Sequence, residues 1–335
     1  MPIPVRPNLF LLFLAAASSV AAESDWIRPG LSTNAPVWGV RGGLLWAVAP
    51  AGFRGGEPRG LLRLGYPVLP ENRYDLINFI AIEPIVRDQR GFSELERSQL
   101  DGNEGKRIWP ENSGNGPPAD LVPGQLRKSS DGQEELEVRF QVERFENGAH
   151  VRLVVRQRSN RLDEIELSVF QEPDSAPLEY CILTATMGNM ARVRQLWLEK
   201  EVVSSLQLYS DYKEAGFAPH RAFSLPHLHR TAEGGVLVAV TNDEEDPATV
   251  YPFGKSELWH YGGRKVTQYW AKEARAFRDD LQVVVNGRYA YWRSNRPVPG
   301  GIAFENFELR ERFYDGQKCV FGITRRTPHD LGFTP

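Results

Sequence analysis

Apolar and polar residues alternate along much of the chain, and this period of two predicts β-strands. One clear case places Val151, Leu153 and Val155 on one side of an extended segment and Arg152 and Arg156 on the other. Such a segment is a strand with one buried face and one solvated face.

Four glycine-containing dipeptides stand between extended segments and predict tight turns. Asn-Gly and Asp-Gly tolerate the positive φ angles of a type I′ turn, whose twist matches the adjoining strands. Four such signals in one chain predict antiparallel sheet. The predicted hairpins join residues 135–145 to 149–158 at Asn147-Gly148, 257–261 to 264–270 at Gly262-Gly263, 281–285 to 288–292 at Asn286-Gly287, and 302–313 to 317–324 at Asp315-Gly316.

Other segments complete a β-rich pattern. Residues 182–187 and 236–241 are almost continuously apolar or β-branched, which is typical of central strands. Helical patterns are scarce, and only residues 92–100 and 271–280 suit short helices. The predicted fold class is therefore all-β, a large antiparallel β-sandwich with few short helices.

The domain organisation follows from two segments. Residues 1–22 resemble a secretory signal peptide, with Arg6 before an apolar run at 9–17 and small residues at a cleavage site. The alternative is an uncleaved N-terminal anchor. Residues 23–335 form one predicted domain, in which the Pro/Gly-rich segment 110–124 is a surface loop or, alternatively, a linker between two units. No later segment is apolar enough to span a membrane, so the mature chain is expected to be secreted or periplasmic.

Composition narrows the partners. The chain has 40 Lys and Arg against 43 Asp and Glu, a net charge of -3, so no nucleic-acid partner is expected. The arginines of residues 139–161 are interleaved with glutamates, and cross-strand ion pairs are a better explanation than attraction of an acidic glycan. Cys181 and Cys319 either pair or are buried as free thiols, and they exclude the usual structural zinc sites. No cofactor is expected, since the acidic run 242–246 lacks the glycine spacing of a calcium loop and reads better as a solvated turn.

A histidine pair is the first candidate for chemistry. If Leu225 to Arg230 were a strand, His227 and His229 would share one face, and two imidazoles there suit a base and its helper. The alternative is a pair of surface histidines, because Pro226 permits only an edge or an initial strand position.

Polar residues inside apolar strands are the second candidates. Either Glu305 or Asn306 lies on a largely apolar face after Gly300-Gly301, and burial of a carboxyl group raises its pKa toward the range of a general acid or base. Asn78 lies in line with isoleucines, and Glu83 ends the same run. Each of these residues either finds a partner within the protein or faces a ligand.

Aromatic residues on strands are the third candidates. Trp259, Tyr261 and Trp270 flank Gly262-Gly263, and flat rings beside amides and carboxylates suit sugar rings. Aromatic residues are also favoured on ordinary strands, so core packing explains most of them. The predicted substrate-binding residues are therefore Asn78, Glu83, Arg230, Trp259, Tyr261 and Trp270.

The order of a histidine on a strand and a late glutamate after Gly-Gly resembles that of galactose-mutarotase-like sandwiches. The resemblance implies that His227 or His229 and Glu305 act as acid and base on a sugar. It favours a mutarotase-like supersandwich, with a jelly-roll lectin-like sandwich second. The expected function is that of a secreted carbohydrate-active protein, a polysaccharide lyase or a glycoside hydrolase if it is an enzyme, with a polysaccharide or oligosaccharide partner held in a groove on one sheet. A non-catalytic glycan-binding or cell-envelope structural protein is the alternative, because fold alone does not determine activity.

Overall fold

The structure is a computed structural model. It describes residues 25–49, 59–94, 105–111, 121–128, 132–186, 192–242, 265–290, 295, 297–298 and 300–335. The predicted leader, most of the acidic run, Trp259, Tyr261 and the Gly262-Gly263 turn lie outside these ranges.

The described strands number twenty-one and follow one another with little helix between them. In chain order they are β1 (Trp26–Ile27), β2 (Val37–Val40), β3 (Leu45–Ala47), β4 (Leu61–Tyr66), β5 (Asp75–Val86), β6 (Gln89–Arg90), β7 (Ile108–Pro110), β8 (Gln125–Lys128), β9 (Glu134–Val142), β10 (Val151–Arg158), β11 (Glu164–Gln171), β12 (Tyr180–Thr186), β13 (Gln195–Trp197), β14 (Val202–Ser204), β15 (Arg221–Ser224), β16 (His229–Arg230), β17 (Val236–Thr241), β18 (Thr267–Lys272), β19 (Gln282–Arg288), β20 (Ala303–Arg310) and β21 (Gln317–Thr324).

The strands form two antiparallel sheets. The ten-stranded sheet has the order β1-β2-β3-β4-β5-β12-β20-β19-β15, with β6 beside β5. The eleven-stranded sheet has the order β14-β13-β17-β18-β21-β11-β10-β9-β7, with β16 beside β17 and β8 beside β9. One large cluster of buried apolar side chains draws on both sheets. The protein is therefore an all-β sandwich, as the alternating pattern predicts.

Several local predictions are confirmed. Strands β9 and β10 form the hairpin predicted around Asn147-Gly148, with Val155 opposite Val138. The two continuously apolar runs are central strands, since β12 lies between β5 and β20 and β17 lies between β13 and β18. Central strands bury most of their side chains, so their sequences are predominantly apolar.

Two predicted hairpins are wrong. Asn286-Gly287 lies inside β19, where the pairing with β20 shifts register at a β-bulge between Val285 and Gly287. Asp315-Gly316 does not join a hairpin, because β20 belongs to the ten-stranded sheet and β21 to the eleven-stranded sheet. In both places the dipeptide supplies local backbone freedom, and the long-range strand pairing decides how that freedom is used.

The predicted helix at 271–280 is also wrong. Strand β18 runs to Lys272, and turns follow it. Of the predicted helix at 92–100, residues 92–94 are not helical and residues 95–100 lie outside the described ranges. The described helical elements are α1 (Ser205–Leu208) and the 3-10 turns Pro70–Asn72, Leu225–His227 and His329–Leu331. Within the described ranges, no helix is both long and apolar enough to cross a membrane.

The two cysteines are buried as free thiols, which was one of the two alternatives. Cys181 on β12 and Cys319 on β21 belong to the core cluster. Burial raises the pKa of both thiols and makes them poor nucleophiles.

Candidate functional site

Polar side chains collect on the outer face of the ten-stranded sheet, the face turned away from the sandwich core. Ile82, Leu183 and Leu309 are aligned across β5, β12 and β20 and point into the core. Their neighbours Glu83 and Glu308 therefore point outward, because side chains alternate along a strand.

The bulge between β19 and β20 adds more polar groups to this face. Phe304 and Phe307 are three residues apart, yet both belong to the core cluster. The two residues between them, Glu305 and Asn306, consequently occupy the outer side, where the Asn306 backbone N–H donates a hydrogen bond of 3.0 Å to the side-chain Oδ1 of Asn286. The Asn-Gly dipeptide of the wrong hairpin prediction thus helps to place Glu305.

Arg90 connects two carboxylates across the sheet. Arg90 lies in β6, the short strand that pairs with the end of β5, and it stands opposite Ile85. Its guanidinium donates to Glu83 and, with Nη2 at 3.0 Å from Oε2, to Glu308. Glu308 also accepts a hydrogen bond of 2.7 Å from the Thr184 hydroxyl. Glu308 thereby accepts hydrogen bonds from two side chains, Arg90 and Thr184.

Glu83 has a shifted protonation equilibrium. Burial raises the pKa of Glu83 to about 8, and the charge of Glu308 adds to this effect while Arg90 opposes it. His220 lies at the rim beside Asn286, with 3.4 Å between the two side-chain nitrogens. Burial lowers the pKa of His220, so its imidazole is neutral at neutral pH.

A second carboxyl pair, Glu94 and Glu305, lies on the same outer face. Burial raises the pKa of Glu94 to about 7, and the nearby Glu305 charge adds to it. Burial also raises the pKa of Glu305, against the effect of Arg288. Arg288 on β19 supplies positive charge near both carboxyl groups, and Arg63 on β4 supplies it near Glu94. The electrostatic contact between Glu94 and Glu83 makes the two pairs one continuous cluster.

The structure places the predicted histidines elsewhere. His227 ends a 3-10 turn, so it does not share a strand face with His229, and its side chain is 52% exposed beside Glu201. His229 lies in β16 of the eleven-stranded sheet, with Nδ1 at 2.8 Å from Glu199 and its ring on Phe333. His229 and Glu305 thus belong to different sheets, and His227 lies in a turn outside both.

Of the other predicted substrate-binding residues, Glu83 joins the outer-face cluster. Arg230 lies against the ring of Phe277 at 5.4 Å. Trp270 is buried in the core, where its indole N–H donates to the Phe307 carbonyl at 2.8 Å, so its ring offers no surface to a sugar. Trp259 and Tyr261 lie outside the described residues.

Asn78 points into the core and donates a hydrogen bond of 2.6 Å to Gln268 of the facing sheet. Its Oδ1 and the Nε2 of Gln268 have no hydrogen-bond partner. Of the two alternatives for Asn78, a partner within the protein or a ligand, the structure shows the first. The Asn78 amide does not face the outer surface.

This amide pair leads to a stability prediction. Asn78→Leu is expected to lower the free energy of unfolding by about 1–3 kcal/mol, because it leaves the Gln268 amide buried without a partner. Adding Gln268→Leu should restore most of that loss, because an apolar pair needs no hydrogen bond. Urea denaturation measures the free energy of unfolding of Asn78→Leu, of Gln268→Leu and of the double variant. A loss in the double variant equal to the sum of the two single losses would contradict this account.

The arginine-rich hairpin carries the ion pairs that its sequence predicts. On the outer face of the eleven-stranded sheet, Arg156 donates to Glu137 at 2.8 Å and to Glu166 at 3.1 Å, and Arg158 donates to Glu135 at 3.1 Å. These cross-strand pairs satisfy the guanidinium groups within the protein.

Metal binding has no support on either face. Within the described ranges, no group of three or more His, Cys, Asp or Glu side chains is arranged to hold a metal ion. Glu83 and Glu308 pair with Arg90, and Glu305 lies 3.7 Å from Arg288.

No protein-family model, curated protein or solved structure matches the chain. The acid and base roles that the mutarotase-like resemblance implies for His227, His229 and Glu305 stay predictions.

Sequence reasoning missed Arg63, Arg90, Glu94, His220 and Arg288. None of them stands in a motif for catalysis or binding, although Arg288 follows the Asn286-Gly287 turn signal. Only the pairing of distant strands brings them to one face, so a local pattern had no means of identifying them.

Proposed function

We propose that the protein is a carbohydrate-active enzyme that hydrolyses glycosidic bonds on the outer face of the ten-stranded sheet. The carrying observation is the group of carboxyl side chains on this face, where Glu94 and the buried Glu305 come from distant parts of the chain and both have raised pKa values. Like charges close together disfavour double ionisation, so the pair retains one proton near neutral pH. One protonated and one ionised carboxyl are what hydrolysis of a glycosidic bond requires.

The proposed reaction assigns a role to each carboxyl. Glu94, with a pKa of about 7, donates its proton to the leaving glycosidic oxygen. Glu305 takes a proton from the attacking water, whose oxygen forms the new bond to the anomeric carbon as the glycosidic bond breaks. The proton passed to the leaving group and the proton taken from water balance, and both products are neutral at the reacting atoms.

Exposed aromatic rings beside the cluster support a sugar partner. Phe92 is 44% exposed and lies against Arg90, and Phe217 is 51% exposed and lies against Arg288. Large apolar rings that are left in contact with water beside polar groups suit the C–H faces and the hydroxyl groups of a saccharide. In this proposal Phe92 and Phe217 stack against the sugar, the role that the sequence-based hypothesis gives to Trp259, Tyr261 and Trp270.

The same rings also suit a protein that binds a glycan without cleaving it. In that second candidate function, the carboxyl cluster would only orient the ligand. Export to the periplasm or the medium, which the leader pattern in residues 1–22 predicts, belongs to both proposals, since polysaccharides are met outside the cytoplasm.

Activity on a panel of neutral and acidic polysaccharides tests the proposal. We expect new reducing ends, and we expect about a 100-fold loss of rate in Glu94→Gln and in Glu305→Gln, because each removes a proton-transfer group. Glu166→Gln is the matched control on the opposite sheet, where Glu166 only pairs with Arg156 and Lys318. It should keep the full rate.

Three results would each exclude the proposed hydrolysis. Unsaturated products would indicate a lyase. Binding without any product would leave only the second candidate. Full activity of Glu305→Gln together with loss of activity in His229→Gln would return the catalytic role to the histidine predicted from the sequence.

A further inference from the structure

Arg288 is a nearly buried cation with spare hydrogen-bonding capacity. It follows the β-bulge on β19, points to the outer face, and its side chain is 7% exposed. Its Nε–H has no acceptor, and the nearest carboxylate oxygen, Oε1 of Glu305, is 3.7 Å away. That distance permits charge attraction but is too long for a hydrogen bond.

Arg90 of the same cluster differs from Arg288, because its guanidinium has carboxylate acceptors. Arg90 donates to Glu83 and to both oxygens of Glu308. Among the described residues, no side chain or carbonyl accepts a hydrogen bond from Arg288. A buried N–H donor without an acceptor, such as the Nε–H of Arg288, is costly unless a ligand completes it.

Phe217 holds the Arg288 guanidinium in place. The ring centroid lies 4.2 Å from the guanidinium carbon, and the two residues form an isolated antiparallel bridge. The next residue, Ala218, donates its N–H to the Gly287 carbonyl at 2.7 Å. A guanidinium stacked on a ring keeps its N–H edge free for an acceptor in its own plane, such as a carboxylate or a sulfate.

The neighbouring carboxyl groups do not prevent an anion from binding there. Burial raises the pKa of Glu94 to about 7 and also raises that of Glu305, so the negative charge beside Arg288 is reduced near neutral pH. A protonated carboxyl carries no charge and donates a hydrogen bond. Arg63, which lies over Phe79 on the adjacent strands, adds a second positive charge.

We infer that Arg288 binds an anionic group on the sugar, so that the substrate class is an acidic saccharide. This inference rests on the proposed function and deepens it. The anionic group is a carboxylate of a uronic acid or a sulfate ester, since both present oxygens to the N–H edge of a guanidinium. The ring of Phe217 lies beside the sugar residue that carries the anionic group.

Calorimetric binding of matched oligosaccharides to the full protein tests the inference. The probes are oligouronates of several backbones, each beside its neutral methyl ester, and sulfated oligosaccharides, each beside its desulfated form. We expect at least one acidic probe to bind 10-fold or more tightly than its neutral counterpart. The probe pair that shows the difference identifies the carboxylate or the sulfate as the anion.

Variants then assign the preference to Arg288. Arg288→Gln should abolish the difference between acidic and neutral probes, and Arg288→Lys, which keeps the charge but loses the planar fork, should keep part of it. Arg230→Gln is the matched control, because Arg230 also lies against a phenylalanine ring but outside the cluster. It should leave the preference unchanged.

The possible failures are distinguishable. Equal binding of acidic and neutral probes, or a preference that survives Arg288→Gln, would overturn the inference and leave hydrolysis of neutral saccharides intact. Absence of binding and of cleavage for every saccharide would overturn the proposed function itself. The comparison of acid with ester uses the unaltered protein, so it decides the question even if a variant does not fold.

Discussion

Lys272→Met is expected to lower the free energy of unfolding by about 3–5 kcal/mol. Lys272 on β18 forms an ion pair with Glu311, and both side chains are 1% exposed. Glu311 accepts a second hydrogen bond, of 2.6 Å, from the Arg278 backbone N–H. Removal of the lysine would leave a buried carboxylate without its counter-ion, which is among the most destabilising single changes in a protein.

Two further variants separate the ion pair from simple loss of a lysine. Lys318→Met is the matched control on β21, since Lys318 pairs with Glu166 and Glu273 but remains 29% exposed. Its loss should stay below about 1 kcal/mol. Adding Glu311→Gln to Lys272→Met should recover most of the stability, because the neutral amide still accepts from Arg278. Urea denaturation measures all three, and equal losses for the two lysine variants would contradict the burial argument.

Glu83 is expected to make the protein less stable as the pH rises. Burial raises its pKa from the ordinary 4.5 to about 8. Between these values the folded chain retains a proton that the unfolded chain has lost, so the free energy of unfolding falls with increasing pH. The contribution is complete below pH 4.5 and is lost as the pH rises through about 8. The slope from one such group is at most about 1.4 kcal/mol per pH unit.

Glu83→Gln should flatten this slope, because an amide stays neutral at every pH. Glu137→Gln is the control: although burial opposes them, hydrogen bonds from Arg156 and Arg139 lower the pKa of Glu137. The stabilisation from ionised Glu137 is lost only in acid. Glu137→Gln therefore leaves the pH dependence of the unfolding free energy above pH 5 unchanged. Unfolding free energies measured at pH 5, 6, 7 and 8 compare the variants. Identical slopes for Glu83→Gln and the unaltered protein would show that Glu83 is ionised throughout.

The candidate site was partly predictable. Glu83 and Glu305 were identified from the sequence because each stands in an apolar strand. Burial of a carboxyl group there is costly unless the group has a partner or a ligand. Asn78 satisfied the same criterion but points into the core. The criterion thus finds buried polar residues without telling which side of a sheet they occupy, since a bulge such as that beside Glu305 changes the side.

The sequence by itself determined that this is a protein of antiparallel strands, and it determined the hairpin of β9 and β10 and the central place of β12 and β17. Those properties depend on alternation and turn residues within a short stretch of chain. Only the tertiary structure decided that Asn286-Gly287 makes a bulge, that the chain crosses between sheets at Asp315-Gly316, and that Glu94 and Arg288 meet Glu305. The partners in those contacts lie far apart in sequence, and their meeting depends on which strands are neighbours, a property of the whole sandwich.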